Sequence, residues 1–192
     1  MRRIRTALAF LVLPALVALG GCGGGSSDSG ASRSPSGSSR AAVPMAMHLT
    51  SSAFRDGGTI PVDYTCAGAG RWPDLSWSAP PPGTKELAVL VFDPDAGGGG
   101  FVHFLAWGVA PTARGTTGNR YPGGGTPGMN GRGSEGWVPP CPPAGGPHHY
   151  EFTVFALSRT PRIAPTANVR QFLAAISGSV VASGRLTGIY GA

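Results

Sequence analysis

Apolar positions along the chain fall into short runs separated by gaps rich in glycine and proline. Leu87 to Asp93 reads LAVLVFD and is followed by Pro94. A continuous apolar run of that length, without alternation, predicts a strand buried on both faces. Val102 to Val109 (VHFLAWGV) and Tyr150 to Leu157 (YEFTVFAL) predict two more strands, both rich in aromatic and β-branched residues. Val180 to Ile189 is a fourth and Met45 to Phe54 a shorter first one. The gaps Pro80-Pro81-Pro82-Gly83 and Gly97 to Gly100 read as turns or loops. Proline donates no ladder hydrogen bond, and glycine gives a strand nothing to pack. One segment has a helical period instead. Val169, Phe172, Leu173 and Ile176 sit at i, i+3, i+4 and i+7, with Asn168 placed as an N-cap and Gly178 as a stop. This short amphipathic helix is expected to cover an edge or end of the sheet, with a packing role and no chemistry. His103 alternates with Val102 and Phe104, so it is expected to face the opposite side of its strand from both.

Composition points the same way. Glycine (32) and proline (19) together supply 51 of 192 residues, roughly twice the average share. Coiled coils and helical bundles are thereby excluded, since glycine costs ~1 and proline ~3 kcal/mol inside a helix. Hydrophobic residues make up 41% of the chain, enough to bury a core. A mainly β, loop-rich domain fits best. The net charge of +6 includes Arg2, Arg3 and Arg5, and falls to +3 without them. The remaining arginines form no basic run, which a nucleic-acid footprint requires, so nucleic acid is not an expected partner.

The N-terminus divides from the rest. A basic start, MRRIR, leads into the apolar run Ala7 to Leu19 and then Gly20-Gly21-Cys22. This is the layout of a secretory signal, too short for a span of ~20 apolar residues. Leu19-Gly20-Gly21-Cys22 also resembles the lipobox of bacterial lipoproteins, in which the cysteine is lipidated and becomes the new N-terminus. An ordinary signal cut nearby, with Cys22 a bystander, is the alternative. Residues 23–42 are almost entirely small and polar, and such a stretch reads as a flexible tether. The expected division is therefore 1–21 signal peptide, 22–43 lipidated Cys22 and linker, and 44–192 folded domain. The expected location is the bacterial cell envelope, held on the membrane through acyl chains. Assigning Cys22 to lipid leaves Cys66 and Cys141, an even pair in an oxidising compartment, and predicts a disulfide. Two separate thiols are the alternative.

Polar groups of chemical interest concentrate in two stretches just outside strands. The first is Asp93-Pro94-Asp95-Ala96, followed by the glycine loop and Phe101-Val102-His103-Phe104; the second runs from Pro139-Pro140-Cys141-Pro142-Pro143 to Gly146-Pro147-His148-His149-Tyr150. Alone, an Asp beside Pro is a common turn starter. Together, DPDA, the VHF strand, the CPP loop, the HHY segment with its strand, and the terminal ASGRLTGIYG resemble the phosphatidylethanolamine-binding proteins, in their bacterial Raf-kinase-inhibitor-like branch. The resemblance runs from about Met47 to the C-terminus and takes in Tyr64-Thr65-Cys66 and Leu75-Ser76-Trp77.

That resemblance implies an antiparallel β-sandwich with one or two short peripheral helices and a small anion pocket at one end. By position, Asp93, Asp95, His103, His148 and Tyr150 match the family's pocket residues, with Trp137 and Pro140 at its rim and wall. Imidazole and phenol groups can donate to phosphoryl oxygens, while carboxylates orient the imidazoles. The same carboxylates weaken binding of a bare dianion, so small anions or zwitterionic headgroups are the expected ligands. His149 stands where the family usually has Arg, and Phe101 where it usually has Trp.

The expected function is a membrane-anchored binding protein for a phosphate-bearing small molecule or phospholipid headgroup, with an extracytoplasmic protein as a further partner. No cofactor, metal or catalytic residue is expected. Two alternatives stay open: a metal-assisted phosphoester hydrolase using the Asp/His pocket, and a structural envelope lipoprotein. Against the first, no HExxH or similar ligand spacing occurs, and no Gly-x-Ser-x-Gly elbow supports a serine hydrolase.

Overall fold

The computed structural model describes residues 44–116 and 124–191. The expected signal peptide, Cys22 and the linker lie outside the described residues. The described strands are β1 Met45–Ala46, β2 Leu49–Ser51, β3 Gly58–Thr59, β4 Leu75–Trp77, β5 Glu86–Asp93, β6 Phe101–Val109, β7 Thr126–Pro127, β8 His148–Leu157 and β9 Val180–Tyr190. Helix α1, Val169–Ile176, lies between β8 and β9, and Val62–Tyr64 forms a 3-10 turn.

The four long strands make an antiparallel ladder in the order β9, β8, β5, β6. β7 pairs antiparallel with the outer edge of β6, while β1 and β3 both run parallel to β9. The fold is thus mainly β with an antiparallel frame, as expected, though the main sheet as a whole is mixed and not wholly antiparallel. No hairpin joins β1 or β3 to β9, so their direction is set by where the N-terminal chain returns to that edge. The run Met45 to Phe54 is not one strand either. It divides between the main sheet and a second, two-stranded sheet in which β2 pairs with β4.

Two cores follow from β5, which is buried on both faces. Leu87, Val89 and Val91 join Phe104, Phe152 and Val154 under Leu49, Trp72, Leu75 and Trp77, so the small sheet and its flanks form the second layer. Ala88 and Leu90 join Leu105, Trp107 and Leu157 on the other face, where Phe172 and Ile176 of α1 complete the cluster. The Phe172 ring centroid lies 6.4 Å from that of Trp107 and 6.2 Å from that of Phe155. The helix therefore covers a face of the sheet, not an edge or end, because that face is apolar and must be buried. Its start is a capping box: Asn168 Oδ1 accepts from Gln171 N at 3.0 Å and Gln171 Oε1 accepts from Asn168 N at 2.9 Å. Gly178, at φ +72°, turns the chain out of the last helical turn.

Candidate functional site

The polar residues meet where β5 ends, β6 begins and β8 begins. Asp93 closes β5 and is 3% exposed. Its Oδ1 accepts from the backbone N–H of Asp95 (2.9 Å) and Ala96 (3.1 Å), which curls the DPDA segment into a tight turn. Its Oδ2 accepts from His148 Nδ1 at 2.7 Å and lies 3.9 Å from His103 Nε2.

His103 reaches this point through a bulge. Val91 pairs with Phe104 but Phe92 pairs with Val102, leaving His103 as an extra residue on β6. The expected alternation is overturned as a result: Val102 packs in the helix-side core and Phe104 in the opposite one. His103 faces away from Val102 but shares Phe104's side, its ring centroid 5.0 Å from that of Tyr150. Re-aiming one side chain is what an inserted residue does to a ladder with a period of two. His103 Nδ1 lies 2.6 Å from the Val138 carbonyl. A carbonyl only accepts, so Nδ1 carries the hydrogen and Nε2 is left toward Asp93 and the cavity. Burial holds the His103 imidazole below its ordinary value, against the upward pull of Val138 and Asp93, and the nearby Arg132 adds to the lowering. His103 is accordingly neutral at neutral pH.

Tyr150 is fully buried, and its hydroxyl has no hydrogen-bond partner among the described residues. Burial, reinforced by Asp93, raises the phenol well above its ordinary range, so it stays a neutral O–H donor.

These groups line a cavity of about 170 Å³ together with Phe101, Arg132, Val138 and the strap Pro139, Cys141, Pro142 and Pro143. That volume suits a small anion and lies below the ~300 Å³ at which drug-sized pockets begin. The strap is tied down by the Cys66–Cys141 disulfide, with Cα atoms 5.4 Å apart, and by Cys66 N donating to Pro140 O at 3.0 Å. The pairing of the two cysteines is thus as cysteine counting predicts.

The structure brings Asp93, His103, His148 and Tyr150 together, and places the other expected residues around them. Asp95 stands outside the cavity lining, its Oδ2 accepting from His149 N (2.7 Å) and His149 Nδ1 (2.8 Å). The backbone bond first, and then the imidazole, hold the Asp95 carboxyl below its usual value. His149 thus supplies the partner for a DPDA carboxylate. Trp137 packs beneath the site, its ring 6.0 Å from His103 and 5.0 Å from Trp72, with Nε1 donating to Gly70 O at 3.2 Å. Pro140 is buried behind the strap, while its neighbours face the cavity. Arg132 is the charged lining residue that sequence reasoning missed. Its only signal was the Asn130-Gly131 turn pair before it, and nothing local says that this turn folds onto His103. Among the described residues, no group of three or more His, Cys, Asp or Glu side chains is placed to hold a metal ion.

The family model for phosphatidylethanolamine-binding proteins matches residues 50–191. The chain belongs to the phosphatidylethanolamine-binding protein family. This PEBP-family chain is 41% identical over 194 residues to the candidate lipoprotein LppC of Mycobacterium tuberculosis, covering 97% of this chain and 96% of that one. It is 36% identical over 149 residues to an archaeal UPF0098 protein of Methanothermobacter thermautotrophicus, covering 75% of this chain and 98% of the relative. Among solved structures, the candidate PEBP homologue CT736 of Chlamydia trachomatis superposes with a TM-score of 0.71 at 33% identity, covering 77% of this chain and 98% of that one. Escherichia coli YbcL, a member of the same family, superposes with a TM-score of 0.70 at 28% identity, covering 76% of this chain and 98% of its own.

Proposed function

We propose that this PEBP-family protein is an exported, lipid-anchored binding protein whose cavity takes a phosphate group, carried by a small molecule or a phospholipid headgroup, and that it acts by binding and not by turnover. The observation that carries the reading is the Tyr150 hydroxyl, fully buried in the cavity wall without a partner among the described residues. A buried donor in that state costs about 1–3 kcal/mol unless a ligand accepts from it. Its neighbours support the same chemistry. Both Asp93 oxygens already accept hydrogen bonds, so the carboxylate orients His148 and has little left to offer a ligand's ammonium group. Also in the lining are the Tyr150 phenol and the His103 and His148 imidazoles, whose second ring nitrogens become donors when protonated. The name of the 41%-identical relative LppC supports the lipid anchor, as does the Leu19-Gly20-Gly21-Cys22 tetrad.

Calorimetric titration of the purified protein with inorganic phosphate and with glycerophosphoethanolamine tests the reading. Saturable binding that weakens at least about tenfold in His148→Ala, with an unchanged melting temperature, is the expected result; tenfold corresponds to about 1.4 kcal/mol. No saturable heat with either ligand overturns it and turns attention to an extracytoplasmic protein partner.

A further inference from the structure

Between β7 and β8 the chain delivers a cation to the cavity wall, and the way it is held decides what that cation can do. Asn130 is buried; its Oδ1 accepts from Arg132 N (2.9 Å) and Ser134 N (3.3 Å), and its Nδ2 donates to Gly136 O (3.1 Å). The turn so formed is stapled to β6 at Val102 and at His103 itself. Gly131 N donates to Val102 O at 2.8 Å, and Val138 N donates to His103 O at 2.9 Å. Gly131 lies flat on the Phe101 ring, where a Cβ would come within 2.4 Å of a ring carbon. Arg132, the next residue, is solvent-exposed on this rigid turn and contributes to the cavity lining.

Its guanidinium makes no hydrogen bond or ion pair with any described residue. Arg71 and Arg185, by contrast, face Asp63 at 4.0 Å and Glu151 at 2.8 Å. The electrostatic reach of Arg132 to the site shows in its opposition to a proton on His103. In the lining, Asp93 is the carboxylate and Arg132 its counterweight. The expectation that carboxylates disfavour a bare dianion was drawn without this charge.

We propose that Arg132 sets the charge class of the ligand, so that the cavity prefers a terminal phosphate monoester over a phosphodiester. The proposal rests on the phosphate reading of the same cavity. A planar guanidinium fork pairs two oxygens at once. Together with the Tyr150 hydroxyl, it sets a positive charge and donors against the ligand's free oxygens, of which a diester has only two. A monoester offers three oxygens and up to twice the charge.

The test compares O-phosphoethanolamine, a monoester, with glycerophosphoethanolamine, a diester bearing the same aminoethyl arm, by calorimetric titration of the full chain. Wild type is expected to bind the monoester at least tenfold more tightly. In Arg132→Gln the monoester should weaken about tenfold or more while the diester changes less than threefold, and Arg132→Lys should recover part of the loss. Binding of both ligands with the same ratio in wild type and Arg132→Gln overturns the role of Arg132 and leaves the phosphate reading standing. No binding of either ligand to wild type overturns both. Sedimentation with phosphatidylcholine vesicles containing phosphatidic acid, or phosphatidylglycerol at matched charge, separates the sources. An Arg132-dependent excess on phosphatidic acid assigns the monoester to a lipid. Equal sedimentation alongside tight phosphoethanolamine binding assigns it to a soluble molecule.

Discussion

Tyr150→Phe should make the protein more stable and a worse binder at the same time. The hydroxyl is buried without a partner among the described residues, and a group in that state costs about 1–3 kcal/mol. Removing one oxygen at the cavity wall opens no closed void, so no packing loss offsets the gain. For a domain of this size each kcal/mol moves the melting temperature by about 2–4 °C, and an unliganded Tyr150→Phe protein should melt roughly 2–12 °C higher. Binding moves the other way. A hydrogen bond to a charged group contributes about 1.5–3 kcal/mol, so phosphate affinity should fall about 10- to 150-fold. The two effects cross in one assay, a thermal melt with and without inorganic phosphate. At 100 times the wild-type Kd, wild type gains about 2.7 kcal/mol, whereas a variant binding 100-fold more weakly gains about 0.4. The gap between the two proteins should therefore close or reverse as phosphate is added. A variant that melts lower than wild type without phosphate, and gains the same shift with it, refutes the reasoning.

Two further outcomes follow from the surroundings of the cavity. Reducing the Cys66–Cys141 bond releases a loop with a sequence separation of 75 residues, which a chain-entropy estimate values at about 4 kcal/mol; melting with and without dithiothreitol should show that loss, and phosphate binding should weaken because the strap carries Cys141, Pro142 and Pro143. Asp95 titrates below its ordinary value of 3.8 because His149 donates to it, so its contribution to stability is present above about pH 4 and lost as pH falls through the lowered value. The backbone bond is the larger cause, so in His149→Ala a carboxyl NMR titration should show only a partial rise toward the ordinary value, and a complete return contradicts the assignment.

What could be read from the sequence was what is local. β5, β6, β8, β9 and α1 carry their apolar runs or periodicity within their own residues, and Asn168 and Gly178 mark the ends of the helix. The two-residue strands β1, β3 and β7 exist only through their pairing with β9 or β6, and no local pattern encodes a tertiary edge. The bulge escaped for a related reason. VHF alternates cleanly in sequence, and only the register against Val91 and Phe92 shows His103 to be the inserted residue. Within the site, Asp93, His103, His148 and Tyr150 were legible because motif position places them. Asp95 was placed with them but turns outward, because the His149 backbone N–H competes for its carboxylate. Arg132 was invisible because a cation in a glycine-rich turn ordinarily points to solvent.

The most direct test of the cavity as an anion site is a titration of the imidazole nitrogens by 15N NMR with inorganic phosphate. His103 and His148 should shift saturably at Nε2 with a single Kd, and the depressed pKa of His103 should rise on binding, while His48, which is absent from the cavity lining, stays still. Flat titrations at His103 and His148, or shifts that His48 shares in parallel, would contradict an anion pocket at the end of this sheet.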